Sequence, residues 1–377
     1  MKVMHIADLH LGCRQYGMAQ REEDFYSALA EIKEIVRDKE VNVVVVSGDV
    51  FDTSKPPPRA VYELSKFAAD ISKFPLGPTV VGIEGNHDRT TGNYWLKVCG
   101  IDPLDPSDKT GEAAMGIVSV RNFGVERMRI VGLNFDRSED ILAKLEGLAD
   151  KGEKADVAVL HLGLAEMNAG FNPDLSVQQL LPRLKALGVK YCALGHIHIH
   201  AEQLHDDVWF VQPGSLEMKS VDEPQQKGVE IFEFRDGEIK SMEWVPYKTR
   251  QVEFLDIKTA DDLNLTSAAA ERLAGRLVVA YVVNTVESGA SRVSEWAKEH
   301  GLMCRVVPVG GDERERREYD RANSMNLLKE AVEAFFDEGT EQHSLVMNIL
   351  HTGNPRMVME KYMNDDCGKE AEHGAQA

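Results

Sequence analysis

The sequence predicts an α/β protein built as a four-layer αββα sandwich, followed by a small α/β unit and helices toward the C-terminal end. Three observations predict it. Short apolar runs of strand character recur at Lys2 to Ala7, Val41 to Val46, Thr79 to Ile83, Val157 to Leu160 and Tyr191 to Leu194. Segments with apolar residues at helical spacing separate these runs, as parallel strands joined by crossovers require. Three more strand-like runs follow residue 198, enough to extend a second sheet.

Taken in order, the first run leads through a loop with Arg14 and Tyr16 into a helix whose apolar stripe is Phe25, Leu29, Ile32 and Ile35-Val36. Val41 to Val46 is continuously apolar and β-branched, as a strand covered on both faces should be. Lys55-Pro56-Pro57-Pro58-Arg59 stiffens the next loop, and Pro58 or its neighbour opens a helix through Val61, Leu64 and Phe67-Ala68. With Thr79 to Ile83 this makes βαβαβ, and right-handed crossovers put both helices on one face. Residues 100–115 read as a surface loop, and Ile117 to Val120 with Arg129 to Leu133 as a strand pair. Ser138 is the expected cap of a helix through Ile141, Leu145 and Leu148. A helix from Val177 to Leu187 separates the last two strands of the set. Val208 to Val211, Val229 to Phe234 and Ile239 to Val245 follow, with Asp236-Gly237 as a hairpin turn.

From Arg250 the pattern becomes a second βαβαβ unit, through Val252 to Ile257, a Ser267 to Leu273 helix, Leu277 to Val283, an Arg292 to Glu299 helix and Cys304 to Val307. We therefore divide the chain into 1–249, 250–309, a charged linker at 310–319, a helical region at 320–363 and a polar, disordered tail at 364–377. The helical region carries Leu328, Val332 and Phe335-Phe336, then Leu345-Val346 and Ile349-Leu350, two stripes that must be buried somewhere.

No signal peptide or membrane span is expected, because His5, Asp8 and His10 interrupt the first strand and nothing approaches a run of about 18 apolar residues. Five cysteines without paired spacing suit reduced thiols in the cytoplasm. The net charge of −19 argues against a basic nucleic-acid footprint and predicts weak DNA affinity for the isolated chain. Arg14, Lys55, Arg59 and Arg89 lie in loops where they could touch phosphate.

The strand ends carry the chemistry. Asp8-Leu9-His10, Gly48-Asp49-Val50-Phe51-Asp52, Gly85-Asn86-His87-Asp88, His161 and Gly195-His196-Ile197-His198 each follow a strand-like run. A lone Asp or His at a strand end is usually a turn residue. Five together are expected to converge on the rim where the carboxyl ends of strands gather. The i, i+2 spacing of Asp8 with His10 and of His196 with His198 is expected to point each pair the same way along a strand. Oxygen and imidazole donors without thiolate suit Mn²⁺, Fe²⁺ or Zn²⁺. So many donors suit two ions about 3.5–4 Å apart rather than one.

These motifs resemble the calcineurin-like metallophosphoesterases, and more closely the Mre11/SbcD branch of DNA-repair nucleases. Met4-His5-Ile6-Ala7-Asp8-Leu9-His10-Leu11-Gly12 and Phe51-Asp52-Thr53-Ser54-Lys55-Pro56 carry the closer likeness, which is strong to about residue 250 and weaker beyond. The resemblance implies a two-metal nuclease, with Mn²⁺ the favoured ion, acting on DNA ends in double-strand break repair. Asp8, His10 and His198 would hold one ion, Asn86, His161 and His196 the other, and Asp49 both. His87 would be the general acid, oriented by the Asp52 carboxylate. Asp88 reads as a turn residue. The resemblance further implies that residues 250–309 form a capping domain shaping DNA access. The C-terminal helices would bind the coiled-coil base of a Rad50/SbcC-type ATPase, and the chain would form a homodimer. The alternative is a metallophosphoesterase acting on a small nucleotide or phosphomonoester.

Overall fold

A computed structural model describes residues 1–88, 93–105, 115–119, 127–167, 173–220, 223–263 and 265–309. The expected linker (310–319), helical region (320–363) and tail (364–377), together with Arg89, lie outside the described residues.

The chain opens β1 (Lys2–Ile6), α1 (Ala19–Asp38), β2 (Val43–Ser47), α2 (Pro58–Ile71), β3 (Thr79–Ile83), α3 (Tyr94–Val98), β4 (Asp102–Pro103). β5 (Met115–Ser119), β6 (Arg127–Leu133), α4 (Ser138–Asp150), β7 (Val157–His161), α5 (Val177–Leu187) and β8 (Tyr191–Gly195) follow. Next come β9 (Ala201–His205), β10 (Val208–Gln212), β11 (Lys227–Arg235) and β12 (Glu238–Tyr247). One six-stranded sheet has the order β12-β11-β1-β2-β3-β4 and the other β5-β6-β7-β8-β10-β9.

Alternation along the strands makes four layers. Val44 and Val46 face outward to a core shared with Phe25 and Ile32 of α1 and Leu64 and Phe67 of α2. Val43 and Val45 face inward, where they meet Val157, Val159 and Tyr191 of the other sheet. The second sheet's outer face, including Ala158 and Leu160, is covered by Leu145 of α4 and Leu180 and Leu184 of α5. Each such side chain contributes about 1.5–3 kcal/mol by leaving water. The continuously apolar runs are therefore strands with no solvent face. Both helices of the opening βαβαβ lie on one face, as expected.

β13 (Val252–Ile257), α6 (Ser267–Leu273), β14 (Leu277–Val283), α7 (Gly289–Glu299) and β15 (Met303–Val309) complete the described chain, with a three-stranded sheet in the order β13-β14-β15. Two compact units emerge: Met1–Glu253 with Ser267–Val279 and Ala297–Arg305, and, in described residues, Phe254–Thr266, Ala280–Trp296 and 306–309.

Four local expectations need correction. Residues 100–115 are not a surface loop throughout, since Ile101, Leu104 and Asp105 are buried and Asp102–Pro103 pair with β3 as β4. β9, at the edge of the second sheet, was not anticipated, because Ala201–His205 has no buried residue and no apolar run. Ser138 is the first residue of α4 rather than its cap; Arg137 is the cap and the Ser138 hydroxyl donates to Asp174 O at 3.0 Å. α7 begins at Gly289, three residues before the expected Arg292. Pro58 does open α2, and Asp236-Gly237, both with positive φ, turn β11 into β12.

Candidate metal centre

Every motif residue sits at or just past the carboxyl end of a strand. Asp8 and His10 follow β1, Asp49 follows β2, and Asn86 and His87 follow β3. His161 closes β7, while His196 and His198 follow β8. These strands belong to two sheets rather than to one open sheet. The apolar layer between the sheets stacks them, so both sets of carboxyl ends share the rim.

The i, i+2 argument fails. β1 ends at Ile6 and β8 at Gly195, so neither pair lies on a strand. Asp8 (φ 51°), His10 (φ 41°), Asp49 (φ 49°) and His196 (φ 86°) all adopt left-handed backbone. That conformation is uncommon outside glycine and costs on the order of 1–3 kcal/mol per residue. Here it turns the chain sharply off each strand. Asp8 N–H to Gly48 O (3.1 Å) and His10 N–H to Asp49 O (3.0 Å) hold the turned segments.

Asp49 lies at the middle. Its Oδ2 stands 3.6 Å from His10 Nε2 and 3.4 Å from His161 Nε2, and its Oδ1 accepts from the His87 N–H at 2.9 Å. The ligand atoms of Asp8, His10 and His198 lie within 4.8 Å of one another, as do those of Asp8, Asp49 and His161 and those of His10, Asp49 and His87. His10 Nε2 faces His198 Nε2 at 3.1 Å. Asn86 Oδ1 faces both His161 Nε2 (3.0 Å) and His196 Nδ1 (3.1 Å). Buried Asp8 Oδ2 has no hydrogen-bond partner, an orphan that calls for a positive charge. The donors are nitrogen and oxygen throughout. Such a set fits a pair of borderline divalent cations.

Neighbouring groups orient the imidazoles. His161 Nδ1 donates to Ser47 O at 2.8 Å, and His198 Nδ1 bonds Glu223 Oε1 at 2.9 Å, which turns each Nε2 toward the site. Burial alone would raise Glu223, but His198 and Lys227 hold its carboxyl well below the usual range. Phe135 stacks on His196 with ring centroids 6.0 Å apart. Glu223, Lys227 and Phe135 were not singled out from sequence; a Glu and a Lys four residues apart normally read as solvated surface.

Asp52 also departs from expectation. His87 Nδ1 donates to the Asp52 main-chain carbonyl at 2.8 Å, not to its carboxylate. The carboxylate instead accepts from Lys219 Nζ at 2.8 Å and lies 3.4 Å from His10 Nδ1. Asp52 thus positions His87 through its backbone, while its side chain holds Lys219, whose Nζ also lies 3.0 Å from His10 Nδ1. Asp88 behaves as a turn residue, with its two oxygens taking the Val50 and Gly85 N–H groups, both at 2.9 Å. Of the cations expected to touch phosphate, Arg14 is paired with Glu22 and Arg59 with Glu23.

Electrostatics divide the rim. Burial works against charge on Asp49, yet His161, His87 and His10 hold its carboxyl well below the ordinary value. Burial also opposes charge on His161, and Asp49 overrides it, raising the imidazole to about 10. Burial and neighbouring His161 lower His196 to about 4.

Glycines precede the ligands for a steric reason. A Cβ at Gly85 would overlap the Asp49 carboxylate, and one at Gly195 would overlap Ser47 O and crowd His161 Nδ1. Only hydrogen fits where one strand end passes beneath its neighbour's ligand.

Residues 1–200 match the family model described as calcineurin-like phosphoesterase, and the chain belongs to that family. Within it, the chain is similar to proteins described as DNA double-strand break repair protein Mre11. It is 27% identical to that of Archaeoglobus fulgidus over 289 residues, 72% of this chain and 63% of the relative, so the match spans less than two thirds of that relative's length. With the Methanocaldococcus jannaschii protein it shares 26% identity over 384 residues, 97% of this chain and 99% of the relative. Among solved structures, a dimetal phosphatase from Danio rerio has a TM-score of 0.44 at 14% identity, covering 66% of this chain and 99% of that one. Among the described residues, no helix is long and apolar enough to cross a membrane. Cys13, Cys99, Cys192 and Cys304 form no disulfide.

Proposed function

We propose that the chain is a two-metal DNA nuclease that processes DNA ends together with a Rad50/SbcC-type ATPase. The observation that carries this reading is Asp49, standing between two groups of nitrogen and oxygen donors drawn from two sheets. Similarity to the Mre11 proteins supports DNA as the substrate. In this reading Asp8, His10 and His198 hold one cation, Asn86, His161 and His196 the second, and Asp49 both, with Mn²⁺ the native ion. Such a pair, when bound, would supply Lewis acidity at the phosphate and a water of lowered pKa.

The chain's own groups do the rest. His87 has its Nδ1–H committed to the Asp52 carbonyl, so Nε2 is the nitrogen that delivers a proton to the departing sugar oxygen. The Asp49 carboxylate accepts the His87 main-chain N–H, which holds that stretch of backbone against the donor cluster. Residues 250–309 serve as a cap over DNA, residues 320–363 bind the ATPase, and the chain works as a homodimer.

The test contrasts two variants. His87→Ala should keep both metals and lose about 10²–10⁴-fold in cleavage rate, since it removes an acid. Asp49→Ala should lose metal. Equal metal loss in both would make His87 a ligand and overturn its role. Mn²⁺-dependent release of nucleotides from duplex DNA should exceed hydrolysis of p-nitrophenyl phosphoesters; the reverse order would favour a small-phosphoester enzyme.

A further inference from the structure

Glu230 is a carboxylate in an unusual place. It lies on β11 with its neighbours His5 on β1 and Trp244 on β12, and its side chain is fully buried. Neither of its oxygens has a hydrogen-bond partner. Stranding an ionised carboxylate this way costs several kcal/mol unless something positive meets it. The group nearest to it is His200, whose Nε2 stands 3.4 Å from Oε2 and likewise makes no hydrogen bond. Glu202, at the start of β9, brings a second carboxylate, and one ligand atom from each of the three residues falls within 4.8 Å of the others.

The scaffold around the cluster is stiff. The His200 ring stacks on Trp244 with centroids 4.7 Å apart and planes at 22°. Trp244 is pinned in turn by its Nε1–H, which donates to Pro213 O at 3.3 Å. Two carboxylates held together repel each other, and each disfavours charge on the other. An imidazole and two carboxylates at ligand spacing, with unpaired atoms turned inward, answer that repulsion by sharing a cation.

We propose that His200, Glu202 and Glu230 form a further binding site for a divalent transition-metal cation, sharing no residue with the Asp49-centred group. One imidazole and two carboxylates leave coordination positions open to water on the Glu202 side, where the cluster reaches solvent. The site ties β9, at the edge of the second sheet, to β11 of the first.

The test uses the full chain and Mn²⁺ alone. Free Mn²⁺ is counted by electron paramagnetic resonance during titration of wild type, Glu202→Gln and His200→Ala. Glu202 is exposed, so its substitution leaves the core intact. Each variant should take up one equivalent less than wild type while Mn²⁺-dependent phosphoester hydrolysis stays unchanged. An anomalous-scattering peak among the three side chains in a Mn²⁺-soaked crystal is expected as well. Uptake equal to wild type in both variants would overturn the proposal, as it would if Glu230 simply carries a proton. Loss of an equivalent together with loss of hydrolysis would also overturn it, by assigning the ion to the Asp49-centred group.

Discussion

At the scale of single residues, Asp52 illustrates how a motif can be legible while its contacts are not. The family resemblance gave it a role beside His87, but sequence carries no information on whether its carbonyl or its carboxylate makes the contact. The carboxylate belongs to Lys219 and His10. Asp52→Asn should therefore leave His87 oriented and weaken metal binding through His10, by about 10–100-fold as is typical for groups that orient a ligand. A Mn²⁺ titration of the cleavage rate checks this: the midpoint should rise, and the rate at saturation should return close to wild type. Lys219 itself was invisible, since a lysine is solvated by default and its partner lies 167 residues away. Asp8, His10, Asp49, Asn86, His161, His196 and His198 could be found because each follows an apolar run. The left-handed backbone of Asp8, His10, Asp49 and His196 could not, since φ there is set by the turn each makes off its strand.

At the scale of elements, β-branched runs and helical stripes revealed the strands and helices that have an apolar face. Those without one, such as the edge strand β9, stayed hidden. Two predictions belong here. Gly85→Ala would push a methyl into the Asp49 carboxylate across the gap between β3 and β2. It should lower both thermal stability and metal uptake, read by a melting curve with and without Mn²⁺, whereas a surface Gly→Ala change would move neither. The second concerns the polar contact joining β1, β2 and β8, where His5 Nε2 meets Ser47 Oγ at 2.8 Å and Nδ1 meets the Tyr191 hydroxyl at 3.0 Å. Burial lowers His5 to about 3. The unfolded chain takes up this proton near pH 6.5 and the folded chain only near pH 3, so stability falls as pH drops through that window. The slope is up to about 1.4 kcal/mol per pH unit, and above pH 6.5 the contribution is constant. Denaturant unfolding between pH 7.5 and 5 should show a shallower slope for His5→Gln than for wild type.

At the scale of the whole molecule, the charge of −19 was plain in the sequence, whereas the pairing of Arg14 and Arg59 with acidic residues of α1 was not. Two of the cations expected to meet phosphate would have to exchange a carboxylate partner to do so. Duplex DNA binding by the chain alone should then show a shallow salt dependence, a log–log slope of about −2 to −3 or less, corresponding to few phosphate contacts. Fluorescence anisotropy across a salt series measures it, and a steep slope would reveal a basic surface elsewhere. The origin of the ligands in two sheets has a consequence of its own. Whatever ion sits at the rim acts as a rivet through two plates, so stripping it with a chelator should let the plates part there before any helix melts. Amide exchange would register that first at the tips of β1, β2, β7 and β8, with the outer layers still protected.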